Sequence, residues 1–409
     1  MPPKIEYLSH PDNKGPGCIP WLEENGLVAV RPHIRSSDWE SGLRDPHTWY
    51  LRRRLGLIPK LEWSAALSRG SWFHEYLQHF SLPPETTRLL LQESLMARLD
   101  ELSEIAKSMG VSREGLRHIH ERCEHDFLIA GAWYQAFETV PIRDCGTARE
   151  IIEAPHFRIL ATELDLHLEG KYSTHTARAD MLLYHEGEKS IYILDAKTTA
   201  FDPIDRLSVC PLEFQTQHYM NIVNSLLEQG VLQDTYELPK ETTTGGMLHV
   251  AIAKPSIRYG MNDRDFEEKE HTLKSGPRKG QVEIRRTYSG EPRYQNFVDR
   301  VARWYAGEGE FSDRAKDLVT SPPVNFSLTS GMLLNDETWQ EEYRIRVDYL
   351  EHLGSRPPCP ANYPISVQGL QNLGRSSPYL PFAMNPLKNW PEIIRREHFM
   401  KAHRDEEVL

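Results

Sequence analysis

Cysteine is scarce in this chain and poorly placed for chemistry. The 409 residues hold five, Cys18, Cys123, Cys145, Cys210 and Cys359, widely scattered and without a C-x-x-C pair. That spacing argues against both a disulfide framework and a structural zinc site. Long apolar runs are missing too, and no stretch would span a bilayer. The opening residues, MPPKIEYLSHPDNKGPGCIP, lack the basic-then-apolar order of a secretory signal, so a cytoplasmic protein without membrane contact is expected. Positive charge is short as well: 48 Lys and Arg against 59 Asp and Glu give a net charge of −11. Such a chain makes a poor general coat for nucleic acid, although basic residues lining one channel remain compatible with it.

What is present is a globular composition, 39% hydrophobic and 26% charged, on a chain long enough for roughly two or three structural units. The organising stretch is THTARADMLLYHEGEKSIYILDAKTT, residues 174–199. Two segments rich in aliphatic and aromatic residues, 177–184 and 190–198, flank a Gly-containing turn of hairpin length. Strand alternation puts Asp195 and Lys197 on one face and turns Ala196 away. Their strand is otherwise apolar, so a carboxylate and an ammonium there need compensation. A divalent cation held by Asp180 and Asp195 would provide it, because hard cations take oxygen ligands and keep part of their water. An Asp-x-Lys triplet by itself also reads as a solvated ion pair.

Context adds to it. Residues 211–230 have helical apolar spacing, an opening Pro211 and a closing Gly230, with Gln215 and Tyr219 four apart on one face. Upstream, Gly70-Ser-Trp-Phe-His74 places a histidine on an aromatic-rich helix. The ordered set Gly-x-x-x-His, Asp, Asp-x-Lys, Gln-x-x-x-Tyr resembles the RecB-like branch of the PD-(D/E)XK nuclease superfamily, over roughly residues 34–255. The resemblance implies an α/β, restriction-endonuclease-like core, a mixed central sheet flanked by helices, with a helical insertion and a C-terminal extension. It implies His74, Asp180 and Asp195 as metal ligands, with the Ala196 carbonyl as another, and Lys197 as the group that orients or activates water. Gln215 and Tyr219 would support the site and DNA. Glu163 sits where such nucleases often carry an acidic ligand; a solvent-facing strand carboxylate is the other reading of it.

The expected division is an N-terminal arm at 1–33, a nuclease core at 34–260 with a helical insertion at 83–140, and an α-rich extension at 261–409 with a basic loop at 274–286. Residues 150–168 read as the first core strands and 246–255 as another. Arg52, Arg53, Arg54, Arg178, Lys274, Arg278 and Lys279 are the candidate DNA contacts, although a basic cluster at a helix end is more often a solvated face, and a solvated hairpin tip is the other reading of the loop. Asp45 and the frame Ser376-Ser377-Pro378-Tyr379 stand where iron–sulfur members of the branch carry cysteines, so no iron–sulfur cluster is expected. The implied activity is a Mg²⁺- or Mn²⁺-dependent DNA exonuclease of recombination, repair or DNA degradation, of the phage and bacterial type. DNA is the implied partner, with room for a single-strand annealing or recombination protein. A non-catalytic DNA-binding accessory protein and an endonuclease are the alternatives.

Overall fold

The computed structural model describes residues 18–401 apart from 60–64, 143–144, 256, 258, 274, 278–280, 308–321, 365–377, 386 and 397–398. Lys274, Arg278, Lys279, Ser376 and Ser377 lie outside the described residues.

The stretch expected to be a loose arm instead ends in a short helix, α1 (Cys18–Glu24), whose Cys18 and Leu22 are buried. It is followed by β1 (His33–Ile34). Next come α2 (Asp38–Arg44) and α3 (Pro46–Trp49). The Asp45 carboxylate accepts from Thr48 N–H and Pro46 occupies the first turn, so Asp45 is a helix cap. One π-helical turn, Tyr50–Arg54, leads to β2 (Leu57–Pro59). Then α4 (Ala65–Gln78) carries His74, and α5 (Pro84–Ser108) and α6 (Arg113–Thr139) form the expected helical insertion.

A small ribbon, β3 (Pro141–Ile142) with β4 (Gly146–Thr147), precedes α7 (Ala148–Ile152). Glu150, expected to begin a strand, belongs to this helix. Thr147 and Glu150 form a reciprocal capping box, which satisfies two amides that a strand reading leaves out. The strand starts later, as β5 (Phe157–Glu169), followed by the hairpin β6 (Thr174–His185) and β7 (Ser190–Thr199). After α8 (Pro203–Val209), Pro211 falls in a 3₁₀ turn, and α9 (Phe214–Glu228) opens three residues beyond it. Then come α10 (Val231–Tyr236) and β8 (Thr243–Ala253).

Beyond the expected core limit lie a charged ribbon, β9 (Asp265–Thr272) with β10 (Val282–Ser289), and α11 (Tyr294–Tyr305). Then β11 (Val324–Ser330), not expected from sequence, pairs antiparallel with β8 and joins the central sheet, so the sheet does not stop at residue 260. α12 (Glu337–Ser355), α13 (Leu380–Met384), α14 (Trp390–Arg396) and β12 (Phe399–Lys401), paired with β2, complete the described chain.

The central sheet runs β1-β6-β7-β8-β11, with β5 also on β6. It is mixed: β5 and β7 run antiparallel to β6, and β11 to β8, whereas β7 with β8 and β1 with β6 are parallel. Alternation sorts its side chains into two layers. Met181, Leu183, Leu194, Ala196 and Val250 pack towards α4, α6 and α11, while Leu182, Tyr184, Ile191, Ile193 and Met247 pack towards α9 and α10. Each fully buried aliphatic chain contributes about 1.5–3 kcal/mol, enough to hold polar residues on the same strands in unfavourable surroundings. A third apolar cluster joins the N-terminal helices to the C-terminal segment through Trp49, Tyr50, Tyr363, Phe382 and Trp390. Among the described residues no helix is long and apolar enough to cross a membrane.

A candidate metal centre

Asp180 and Asp195 stand on neighbouring antiparallel strands, both buried. They are tied together by the backbone: the Ala196 N–H donates to Asp180 Oδ2 at 2.6 Å. Glu163 is brought in from β5. Thr162 pairs with Met181 and Leu164 with Ala179, which sets Glu163 opposite Asp180. Its side chain is buried rather than solvent-facing, and its φ of +48° lies in the left-handed region, unusual for a residue in mid-strand. Two facing carboxylates and a strained backbone persist only where their surroundings enforce them.

His74, reaching over from α4, answers both. Its Nδ1 lies 3.1 Å from Glu163 Oε1 and 3.1 Å from Asp180 Oδ1. Burial works against a charged ring, yet the Asp180 and Glu163 carboxylates hold the His74 pKa well above the ordinary histidine value. Burial raises the Glu163 carboxyl above its usual value, opposed by His74 and by Arg178, whose Nε is 2.9 Å from Glu163 Oε2. Ligand atoms of His74, Glu163 and Asp180 all fall within 4.8 Å of one another.

The second half of the centre surrounds Asp195. Lys197 Nζ lies 3.0 Å from each of its two oxygens and donates to Gln215 Oε1 at 2.8 Å, while Gln215 Nε2 donates back to Asp195 Oδ1 at 2.7 Å. Gln215 is fixed by the start of α9, where Glu213 receives two bonds from Arg206 at 2.6 and 2.8 Å. Burial opposes charge on both members of the Asp–Lys pair. Lys197 and His249 nevertheless hold the Asp195 carboxyl well below the usual carboxylate range, and Asp195 and Asp180 raise the Lys197 pKa. Both directions favour the charged pair over the neutral one.

The donor atoms that come together, those of His74, Glu163 and Asp180, fit a hard divalent cation, two carboxylates and one imidazole without a thiolate, and Asp195 stands beside this group rather than in it. Among the described residues no hydrogen bond is directed onto the buried Asp195 Oδ2, which lies 3.0 Å from Lys197 Nζ and 3.6 Å from His249 Nδ1.

Tyr219 is buried on α9. Burial and the charges of Asp195 and Asp180 raise its pKa, and its hydroxyl meets Ser36 and the Arg178 backbone. It lines a cleft of about 180 Å³ with Arg35, Ser36, His167 and Arg178. Of the basic trio, only Arg52 is exposed. Arg53 is buried with Nε 2.9 Å from Asp38 Oδ1, and Arg54 Nη1 donates to the Val30 carbonyl at 2.8 Å. The π turn, closed by Leu55 N–H on the Tyr50 carbonyl, breaks the α-helical pitch on which a solvated basic face is expected. Arg53 is thereby placed in a structural contact, while Arg54, half-buried, is only partly committed to one.

His249 escapes the sequence reading. It lies on β8 in register with Asp195, its Nδ1 3.6 Å from Asp195 Oδ2, and the only sequence signal for it is a histidine in the run Met-Leu-His-Val-Ala.

No curated protein sequence matches the chain. The sequence model of the PD-(D/E)XK nuclease superfamily matches residues 37–313, spanning the strands and helices that carry this centre, and the chain belongs to that superfamily, whose members are nucleases that generally use divalent metal ions.

Proposed function

We propose that the chain is a RecB-like DNA exonuclease, of the phage and bacterial type, that hydrolyses phosphodiester bonds in recombination, repair or DNA degradation with Mg²⁺ or Mn²⁺. The observation that carries this reading is the joined set of Asp180, Asp195, Lys197 and Gln215, with His74 and Glu163 completing the donors. A decayed nuclease fold serving as an accessory protein would have no need to keep three carboxylates and a lysine together in a buried site.

His74, Glu163, Asp180 and Asp195 would hold the cation, with the Ala196 carbonyl as a further ligand. When bound, the ion supplies Lewis acidity at the scissile phosphate and at the attacking water. Lys197, protonated and aimed by Gln215, orients that water and stabilises charge gathering on the phosphate oxygens. Tyr219 holds the wall of the cleft in which Arg178 meets the DNA backbone. Arg52, and Lys274, Arg278 and Lys279 of the basic loop, are further phosphate contacts. A single-strand annealing protein is the fitting partner for an enzyme that resects ends.

The test is digestion of linear and covalently closed circular DNA with and without Mg²⁺. Loss of linear DNA alone, and only with metal, supports the exonuclease. Nicking of circles makes it an endonuclease, and DNA binding without cleavage makes it an accessory protein.

A further inference from the structure

Asp195 Oδ2 and His249 Nδ1 are both shielded from solvent and, among the described residues, neither has a directed hydrogen bond, yet they lie 3.6 Å apart. His249 is 2% exposed and Asp195 3%. Buried polar atoms are nearly always paired, because burial strips their hydration and only a partner replaces it. The parallel register of β7 and β8 sets the two residues side by side. On the far side of the ring, Thr329 Oγ1 from β11 lies 3.1 Å from His249 Nε2, and it too is buried.

A threonine hydroxyl donates or accepts, so that contact admits either tautomer, and the carboxylate on the other side chooses between them. A neutral imidazole has one N–H and one lone pair, and the tautomer follows from what the other nitrogen meets. A Thr329 hydroxyl donating to Nε2 leaves the N–H on Nδ1, aimed at the carboxylate. The opposite tautomer would turn a lone pair towards Asp195 and be repelled.

The geometry also sets a competition. Lys197 lies 3.0 Å from both Asp195 oxygens, and an ammonium clasped in this way is withheld from water. We propose that His249, with Thr329 as hydrogen-bond partner of its Nε2, is a positioning residue: it gives Asp195 Oδ2 a second donor, holds that carboxylate towards a divalent cation, and loosens the clasp on Lys197. This rests on reading Asp195 as a metal ligand. His249 acts through Asp195 alone. Thr329 lies beyond the residues matched to the superfamily, so the later part of the chain takes part in the centre. The seat of β11 against β8 is close: a Cβ on Gly246 would come 2.2 Å from the Thr329 carbonyl, and one on Gly331 2.0 Å from the Thr244 carbonyl.

Calorimetric titration with Mn²⁺, without DNA, tests the relay. Stoichiometric binding by the wild type that is lost in Asp195→Asn secures the metal reading on its own; if the wild type does not bind, that reading and this proposal both fall. Given binding, His249→Phe, which keeps the ring's bulk without its nitrogens, should weaken Mn²⁺ affinity about 10–100-fold. His249→Asn, whose amide nitrogen can replace Nδ1, should stay within a few-fold of wild type, and Thr329→Val should fall between them. In linear-DNA cleavage at saturating Mn²⁺, His249→Phe should lower kcat and leave KM for DNA unchanged. Wild-type affinity in His249→Phe overturns the proposal. So does an Asn variant as weak as Phe, since the ring would then act only by packing. If His249→Phe fails to fold, Thr329→Val decides, and unchanged Mn²⁺ affinity there overturns it.

Discussion

Lys197 is the residue at which structural and catalytic roles separate most sharply. Paired with Asp195 and Gln215 inside the sheet, it could serve only to neutralise buried carboxylates. In that case Lys197→Arg would keep the charge and most of the activity. An ammonium that positions water is a compact donor, and a planar guanidinium does not fit in its place. Both Lys197→Arg and Lys197→Ala are therefore expected to lose about a hundred- to a thousandfold in cleavage rate while still binding DNA in Ca²⁺. Cleavage by Lys197→Arg within a few-fold of wild type would assign Lys197 to structure. Glu163 presents the reverse problem. A left-handed mid-strand residue costs on the order of 1 kcal/mol or more, and its carboxylate faces that of Asp180. Glu163→Asn relieves both, since Asn tolerates that backbone region. Its melting temperature in EDTA should rise while metal-dependent cleavage is lost, the usual exchange of stability for function at a site. A fall in melting temperature would mean that the carboxylate supports the fold through His74 and Arg178.

Elements differ in how plainly the sequence announces them. The β6–β7 hairpin, α5 and α6 are legible because their periodicity is strong and their ends carry turn or cap residues. Asp180, Asp195 and Lys197 are legible with them, since alternation on a strand fixes which side chains share a face. The start of β5 is hidden because the Thr147–Glu150 capping box sits inside a stretch apolar enough to pass for strand. β11, with Asn325, Ser327, Thr329 and Ser330 among its seven residues, shows little of the apolar signal of a sheet strand; its place comes from pairing with β8. His249 is invisible for the same reason, its meaning depending on a neighbour 54 residues earlier, as its number and that of Asp195 give (249 − 195). The trio Arg52–Arg54 separates what spacing shows from what packing decides. Removing one partner of a buried pair leaves an uncompensated charge, so Arg53→Ala should destabilise the protein by about 3–5 kcal/mol in urea unfolding. Arg52→Ala, on the exposed side, should leave stability within about 0.5 kcal/mol and weaken DNA binding in a salt-dependent way. Equal stability losses in the two variants would contradict the burial difference between them.

At the scale of the whole molecule, the N- and C-terminal segments are held together by an aromatic cluster that shelters titratable groups. Tyr50 and Tyr363 stack at 4.4 Å, and His47, 1% exposed, lies against Tyr50 and Trp390. His218, buried on α9, packs on Phe214 and Tyr343, the latter from α12. Burial pushes the His47 pKa down to about 4, against an opposing contact with the Tyr363 backbone. Burial, helped by repulsion from His175, pushes His218 down to about 3. Both rings are neutral in the folded protein at neutral pH, whereas in the unfolded chain they take up a proton near 6.5. Between those values the unfolded state binds more protons, so stability falls as pH drops below 6.5 and goes on falling until the folded values are reached. A tenfold difference in proton affinity between the two states is worth about 1.4 kcal/mol, which gives an upper limit of about 3 kcal/mol for His47 and more for His218. Ordinary carboxylates titrate lower, so the interval from pH 6.5 to about 5 belongs mainly to such histidines. Thermal unfolding in EDTA at about pH 7 and about pH 5 should show a clear loss in the wild type and a smaller one in His47→Gln/His218→Gln. If the double variant keeps the full wild-type difference, the acid sensitivity arises elsewhere and these two rings do not link the terminal segments to pH.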